Sequence, residues 1–330
     1  MMSVLTEGRR QQKPLTPWKK SKPPLEPALK KKRLFPGVDS LNGRWGYLFI
    51  SPFVITFLIF GLAPVIYSVY IAFFHYDPLG GASYVGLHNF GNLLQDSDFW
   101  LSIRNTFSIW ALSTFPQLLM AIGLATILRN ARLRGRTFFR TVLLVPNITS
   151  VIAITIVFSQ LFGFKFGIIN DILGGIGIHH IDFLEGTLPS HIQIAAIITW
   201  RWVGYNTLIF LASMLAISDE LYESASVDGA SKWEQFRFVT LPQLKNTITF
   251  VLIMGTIGGL QVFAEPRQLN SGGGDSHQFL TLTLFLYNQA FVNNKYGYAA
   301  AIGIMITIIV LIVSTINFFI SRKLTSDGTR

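Results

Sequence analysis

The chain of 330 residues contains no cysteine. Disulfides, thiol nucleophiles and cysteine-ligated zinc are thereby excluded. Charge is scarce: only 13% of residues are Asp, Glu, Lys or Arg, about half the share of an ordinary soluble domain. Acids are the scarcer sign, 17 against 27 basic residues. The alternating apolar–polar segments that build a membrane barrel are missing. Asn270–Asp275 is glycine-rich but lacks the Lys-Ser/Thr ending of a phosphate-binding loop. No Ser/His/Asp arrangement with catalytic spacing is visible. His179, His180 and Asp182 are metal-ligand types without a second cluster.

What the chain has is apolar length. Half of its residues are hydrophobic, and the mean hydropathy is +0.45. A bilayer core of roughly 30 Å needs about 20 apolar residues in a helix. Six stretches meet or approach that length: 47–73, 106–128, 141–162, 192–216, 247–264 and 298–320. The fifth is short and carries Gly255, Gly258, Gly259 and Gln261. Continuous apolar runs must be helical, because lipid offers no partner to backbone N–H and C=O groups. The predicted fold class is an all-α integral membrane protein with six transmembrane helices.

The net charge of +10 does not point to nucleic acid, because its placement follows the spans. With the N-terminus inside, the inside segments (1–46, 129–140, 217–246 and 321–330) hold 22 Lys and Arg. The outside segments hold four: Arg104, Lys165, Arg267 and Lys295. This bias places both termini in the cytoplasm. The predicted organisation is a disordered basic cytoplasmic tail (1–45), a six-span domain (46–325) with a cytoplasmic loop at 217–246, and a tail end (326–330). The first apolar run starts at Tyr47 and is too long for a cleavable signal peptide. The chain is expected to be a multi-pass membrane protein.

The loop between the fourth and fifth spans reads as helix, break, helix. Ser218 is placed to cap a helix, with Asp219 and Glu220 in its first turn. Gly229 should weaken that helix. Ser231-Lys232-Trp233-Glu234 is a capping-box pattern, and Trp233 and Phe236 share a face. Leu241-Pro242 is expected to end the unit, because the residue before proline disfavours helix. Small residues beside aromatics suit either a docking element for a cytoplasmic partner or a helix folded back on its own bundle.

The stretch Glu223-Ser224-Ala225, then Gly229, then Val239-Thr240-Leu241-Pro242 resembles the coupling loop of ATP-binding-cassette (ABC) importer permeases. That signature is Glu-Ala-Ala, three residues, Gly, nine residues, Ile-x-Leu-Pro. Ser224 stands for Ala and Val239 for Ile. GRTFFRTVLLVPNITSVIAITIVFSQLF (135–162) and YGYAAAIGI (296–304) resemble the carbohydrate branch of the family, which includes maltose, glycerol-phosphate and cellobiose–lactose-like permeases. The resemblance covers roughly 45–325 and implies the type I importer permease fold. It implies half of a transmembrane pathway for a di- or oligosaccharide, driven by alternating access. The implied partners are a second permease subunit, a dimer of cytoplasmic ATPase subunits and an extracytoplasmic sugar-binding protein. No cofactor is expected on this chain, since ATP and Mg²⁺ are used by the partners. Glu223, Ser224, Ala225, Asp228 and Gly229 should form the docking helix and its break, with Leu241 and Pro242 fixing its junction to the fifth span. The family's Gly-Gly-Pro near 272–274 is incomplete here, without its proline.

A neutral sugar needs hydrogen-bonding groups beside apolar faces. Trp202, Tyr205 and Asn206 in the fourth span, and Gly258, Gly259 and Gln261 in the fifth, supply such groups. In the resembling permeases these two spans carry the substrate contacts. Trp202 also fits an interfacial belt, and the glycines also fit helix packing. Arg201 and Glu265, near the outer ends of the same spans, are expected to snorkel to water. The alternative function, an ion-coupled secondary sugar transporter, would place ionisable residues at mid-membrane, and clear mid-span acids are absent from the sequence. An enzyme would need paired carboxylates or histidines on one membrane face, and none are found.

Overall fold

A computed structural model describes residues 44–77, 80–129 and 135–326. The basic tail and most of the C-terminal tail end therefore lie outside the described residues. The chain divides into two units, 1–61 and 62–330. In the first, helix α1 (Arg44–Thr56) contains Pro52 and continues into a π-helical stretch, Phe57–Leu62. Phe53 and Phe57 stack one turn apart.

The second unit begins with α2 (Ala63–Ile71) and a two-stranded antiparallel ribbon, β1 (Phe74–Asp77) and β2 (Gly81–Tyr84), in the register Phe74↔Tyr84. Helices α3 (His88–Gln95), α4 (Ser97–Arg129), α5 (Arg136–Ile148), α6 (Val151–Leu161), α7 (Ile168–Gly175) and α8 (Thr187–Leu215) follow. A hairpin of α9 (Asp219–Val227) and α10 (Lys232–Gln235) leads through a π-turn (Phe236–Thr240) into α11 (Leu241–Gln243) and α12 (Lys245–Gly259). The chain closes with α13 (Ala264–Leu269), α14 (Leu282–Tyr287), a π-turn (Asn288–Val292) and α15 (Tyr296–Ser326).

Among the described residues, five helical segments have the length and composition to cross a membrane: Tyr47–Ile71, Ser97–Arg129, Thr187–Leu215, Lys245–Leu269 and Tyr296–Ile320. A sixth crossing is formed if α5 and α6 count together. The sequence suggests one span over 141–162, but the structure has two helices bent by 95°. Thr149 and Ser150 are extended at the break, at ψ 146° and 128°. Hydropathy does not register that backbone change. Gly204 explains how α5 lies against α8: a Cβ there would strike the Leu143 carbonyl.

The largest helix interface joins α4 to α8. Ala121 and Ala125, four residues apart on α4, are fully buried and let the helices approach. Ile122, Leu128, Phe210, Leu211 and Met214 complete that core with Leu244 and Val251. Many large apolar side chains remain exposed along the spans, as a lipid solvent or a partner helix requires. Buried polar groups pin the 270–281 loop to this bundle. Asn105 Nδ2 donates to the His277 and Leu280 carbonyls at 2.9 and 3.1 Å, and the Leu282 amide donates to Thr106 Oγ1 at 2.9 Å. His191 bonds the Gln278 carbonyl at 2.9 Å through Nε2 and Ser108 Oγ at 2.8 Å through Nδ1. A carbonyl only accepts, so Nε2 carries the proton.

Candidate functional site

The 217–246 hairpin is built by its caps. Ser218 accepts from the Glu220 amide at 3.3 Å, and Asp219 and Glu220 occupy the first turn of α9. At its other end Gly229 adopts φ 81°, a left-handed value that stops the helix and turns the chain. The capping box then starts α10: Ser231 Oγ accepts from the Glu234 amide at 3.3 Å, and Glu234 Oε2 accepts from the Ser231 amide at 2.7 Å. The Ser231 side chain first and the Ser231 amide second hold the Glu234 carboxyl below its ordinary value. Such a cap contributes about 1 kcal/mol.

Buried Gln235 closes the hairpin. Its Nε2 donates to Ser226 Oγ at 2.9 Å and to the Ala230 carbonyl at 3.1 Å. Trp233 stacks on Phe236 at 5.5 Å. The chain does not leave helix at Leu241-Pro242, as the sequence suggests. It stays helical through the proline to Gln243. The π-turn explains this: the Leu241 amide bonds the Phe236 carbonyl, five residues back, which widens the backbone where the proline ring would otherwise press on the preceding turn. At Leu244, between α11 and α12, the amide bonds the Thr240 carbonyl at 3.0 Å and the carbonyl accepts from the Ile248 amide at 2.8 Å.

One surface of this hairpin lies open among the described residues. Glu223, Ser224, Asp228, Gly229 and Pro242 are exposed, Leu241 is 36% exposed and Ala225 is half-buried. Among the described residues no cation pairs with Glu223 or Asp228. Val227, Trp233 and Phe238 are 88%, 66% and 68% exposed, a large apolar area for a polar loop. A cleft of about 970 Å³ opens beside it, lined by Arg129, Tyr222, Glu223, Lys232 and Phe236 among others. Arg129, Tyr222 and Gln235 are the site residues that motif reading passes over. A cation in the last turn of α4, where it complements the helix dipole, is the only signal for the first.

The six candidate substrate residues are less unified. Trp202 and Tyr205 meet edge to face at 6.0 Å and are 39% and 43% exposed. Gly258 and Gln261 are also exposed, and Asn206 is half-buried. Gly259 has a packing role: a Cβ would fall 2.5 Å from the Trp110 ring. Arg201 and Glu265 do not snorkel. They pair with each other, with side chains 18% and 6% exposed, because two charges leaving water each need a counter-ion.

Residues 117–326 match the family model described as "Binding-protein-dependent transport system inner membrane component". The lactose transport system permease protein LacF of Rhizobium radiobacter is 33% identical, over 84% of this chain and 94% of its own length. The arabinooligosaccharides transport system permease protein AraP of Bacillus subtilis is 34% identical, over 86% and 90%. The fold superposes on a chain of a bacterial alginate ABC transporter, crystallised with an alginate pentasaccharide-bound periplasmic protein. There the TM-score is 0.73 at 25% identity, over 88% of this chain and 98% of that one. The chain thus belongs to the family of binding-protein-dependent transport system inner membrane components.

Proposed function

We propose that this chain is one permease subunit of an ATP-driven sugar importer, and that the 219–242 hairpin is its grip for a cytoplasmic ATPase subunit. The observation that carries the reading is the hairpin itself. It is folded by its own caps, yet it presents exposed Glu223, Val227 and Trp233 beside an open cleft. The distribution of Lys and Arg supports a cytoplasmic position for the hairpin and both termini. Glu223 offers an exposed carboxylate to a cation of the ATPase, a pairing that strengthens as water is excluded. ATP and Mg²⁺ act on the ATPase subunits, and closure of that pair moves the hairpins and alternates access.

The named relatives carry lactose and arabinooligosaccharides, so the cargo is a di- or oligosaccharide, delivered by an extracytoplasmic binding protein. A second permease subunit forms the other half of the path. Exposed Trp202, Tyr205 and Gln261 offer apolar faces and an amide to it, with Asn206 and Gly258 on the same two spans. Ion coupling is disfavoured, because Arg201 and Glu265 already neutralise each other.

The test is to purify the tagged chain from membranes expressing its neighbours. An ATPase and a second six-span protein should accompany it, and sugar-loaded binding protein should stimulate ATP hydrolysis. Purification as an active homo-oligomer without an ATPase would sink the reading.

A further inference from the structure

We propose that Tyr222 is the positioning residue that makes the hairpin move as one body with the ends of α4 and α12. The inference rests on the hairpin being the ATPase grip, and it says how that grip is joined to the spans.

The hairpin joins the spans by single backbone segments. Between α8 and α9 the chain leaves helix at Ile217–Ser218. Between α11 and α12 two backbone bonds, from the Leu244 amide to the Thr240 carbonyl at 3.0 Å and from the Ile248 amide to the Leu244 carbonyl at 2.8 Å, carry the chain past Leu244. A lever held only by its backbone would bend under load at the non-helical joint. Tyr222 braces both ends with one side chain. Its hydroxyl is 2.8 Å from Thr240 Oγ1, a buried group in the π-turn that leads to α12. Its ring lies under the Arg129 guanidinium, 3.9 Å from centroid to Cζ, in the last turn of α4.

The second guanidinium contact, to Asp219 Oδ1 at 3.5 Å, is to a side chain that is 89% exposed. It adds little, because exposed ion pairs are weak and screened. The load-sharing contacts are therefore the ring face and the hydroxyl. Tyr222 also differs from its neighbours: Glu223 and Ser224 point to solvent, free for a partner, while Tyr222 is committed to the chain's own spans. One residue faces the ATPase and the adjacent one faces the bundle, the arrangement a transmission element needs.

The lack of cysteine permits a direct test. Spin labels at Glu220→Cys and Asn246→Cys report the distance between hairpin and α12 in the reconstituted transporter. It is read without nucleotide and after trapping with ATP and vanadate. With native Tyr222 the distance should be the same in both states, because the two elements travel together. Tyr222→Phe and Thr240→Val should each broaden or shift the distance on trapping, the double variant should do no more than either single one, and Thr240→Ser should keep the native result. Arg129→Gln should free the hairpin from α4, read with a label at Thr126→Cys. A native distance that changes on trapping, or single variants as rigid as the native chain, overturns the proposal. Co-purification of the ATPase is measured on every sample. If the native chain fails to retain it, the grip itself is refuted and the linkage falls with it.

Discussion

Removing one charge of the Arg201–Glu265 pair should be among the costliest single changes in the chain. Glu265 is 6% exposed and Arg201 18%, and the Arg201 Nε already lacks a partner. Glu265→Gln preserves shape and some hydrogen bonding but strands the guanidinium. Breaking a buried pair from one side costs about 3–5 kcal/mol, a loss of roughly 150-fold or more in the folded-to-unfolded ratio. The double change Arg201→Met with Glu265→Leu removes both charges, and should be neutral or stabilising by up to about 4 kcal/mol. The assay is resistance to SDS-induced unfolding in mixed lipid–detergent micelles, followed by tryptophan fluorescence. A Glu265→Gln loss below about 1 kcal/mol, the ceiling for an exposed pair, would refute the burial argument. So would a double variant as unstable as the single one.

Other expectations are narrower. Gly229→Ala meets open space but forces a side chain into φ 81°, costing about 1–2 kcal/mol; amide exchange in α9 and α10 should accelerate roughly 5- to 30-fold, and unchanged protection would exclude the strain. Gly204→Val should part α5 from α8, because the new group meets a backbone carbonyl and no rotamer relieves it; a cost of about 1–3 kcal/mol is expected in the same SDS assay. The Glu234 carboxyl is held below its ordinary value of 4.5 by the capping box, so its stabilisation is complete above that pH and is lost as pH falls through the lowered value. Helix α10 should fray in acid by hydrogen exchange, and Glu234→Gln should remove most of that pH dependence. Glu223→Ala should leave membrane insertion intact but abolish stimulated ATP hydrolysis in the assembled transporter; normal stimulation would dismiss Glu223 as a contact.

The apolar length of the spans was legible because a bilayer imposes it on composition. Thr187–Leu215 and Tyr296–Ile320 lie close to the stretches read at 192–216 and 298–320. The hairpin was legible for a different reason: Ser218, Gly229 and Ser231–Glu234 act on their own backbone, within four residues. What escaped was long-range. Asn105 reaches His277 across 172 positions, and Arg201 reaches Glu265 across 64, so neither pairing leaves a local pattern. The 95° break at Thr149–Ser150 and the π-turn before Pro242 escaped because hydropathy and helix propensity see composition, and both features are changes of dihedral or hydrogen-bond register. The exposed candidate substrate residues were named from chemistry, and in the proposed importer the other wall of their path would belong to a second chain.

The decisive question is what grips the hairpin. With no native cysteine in the chain, Ser224→Cys gives one thiol on its exposed face. A short bifunctional thiol–amine crosslinker applied to intact membranes, with mass spectrometry of the products, identifies the neighbour. The expected product is an adduct to a nucleotide-hydrolysing subunit, lost when Gln261→Cys is used instead. Adducts only within this chain, or to the extracytoplasmic binding protein, would contradict it.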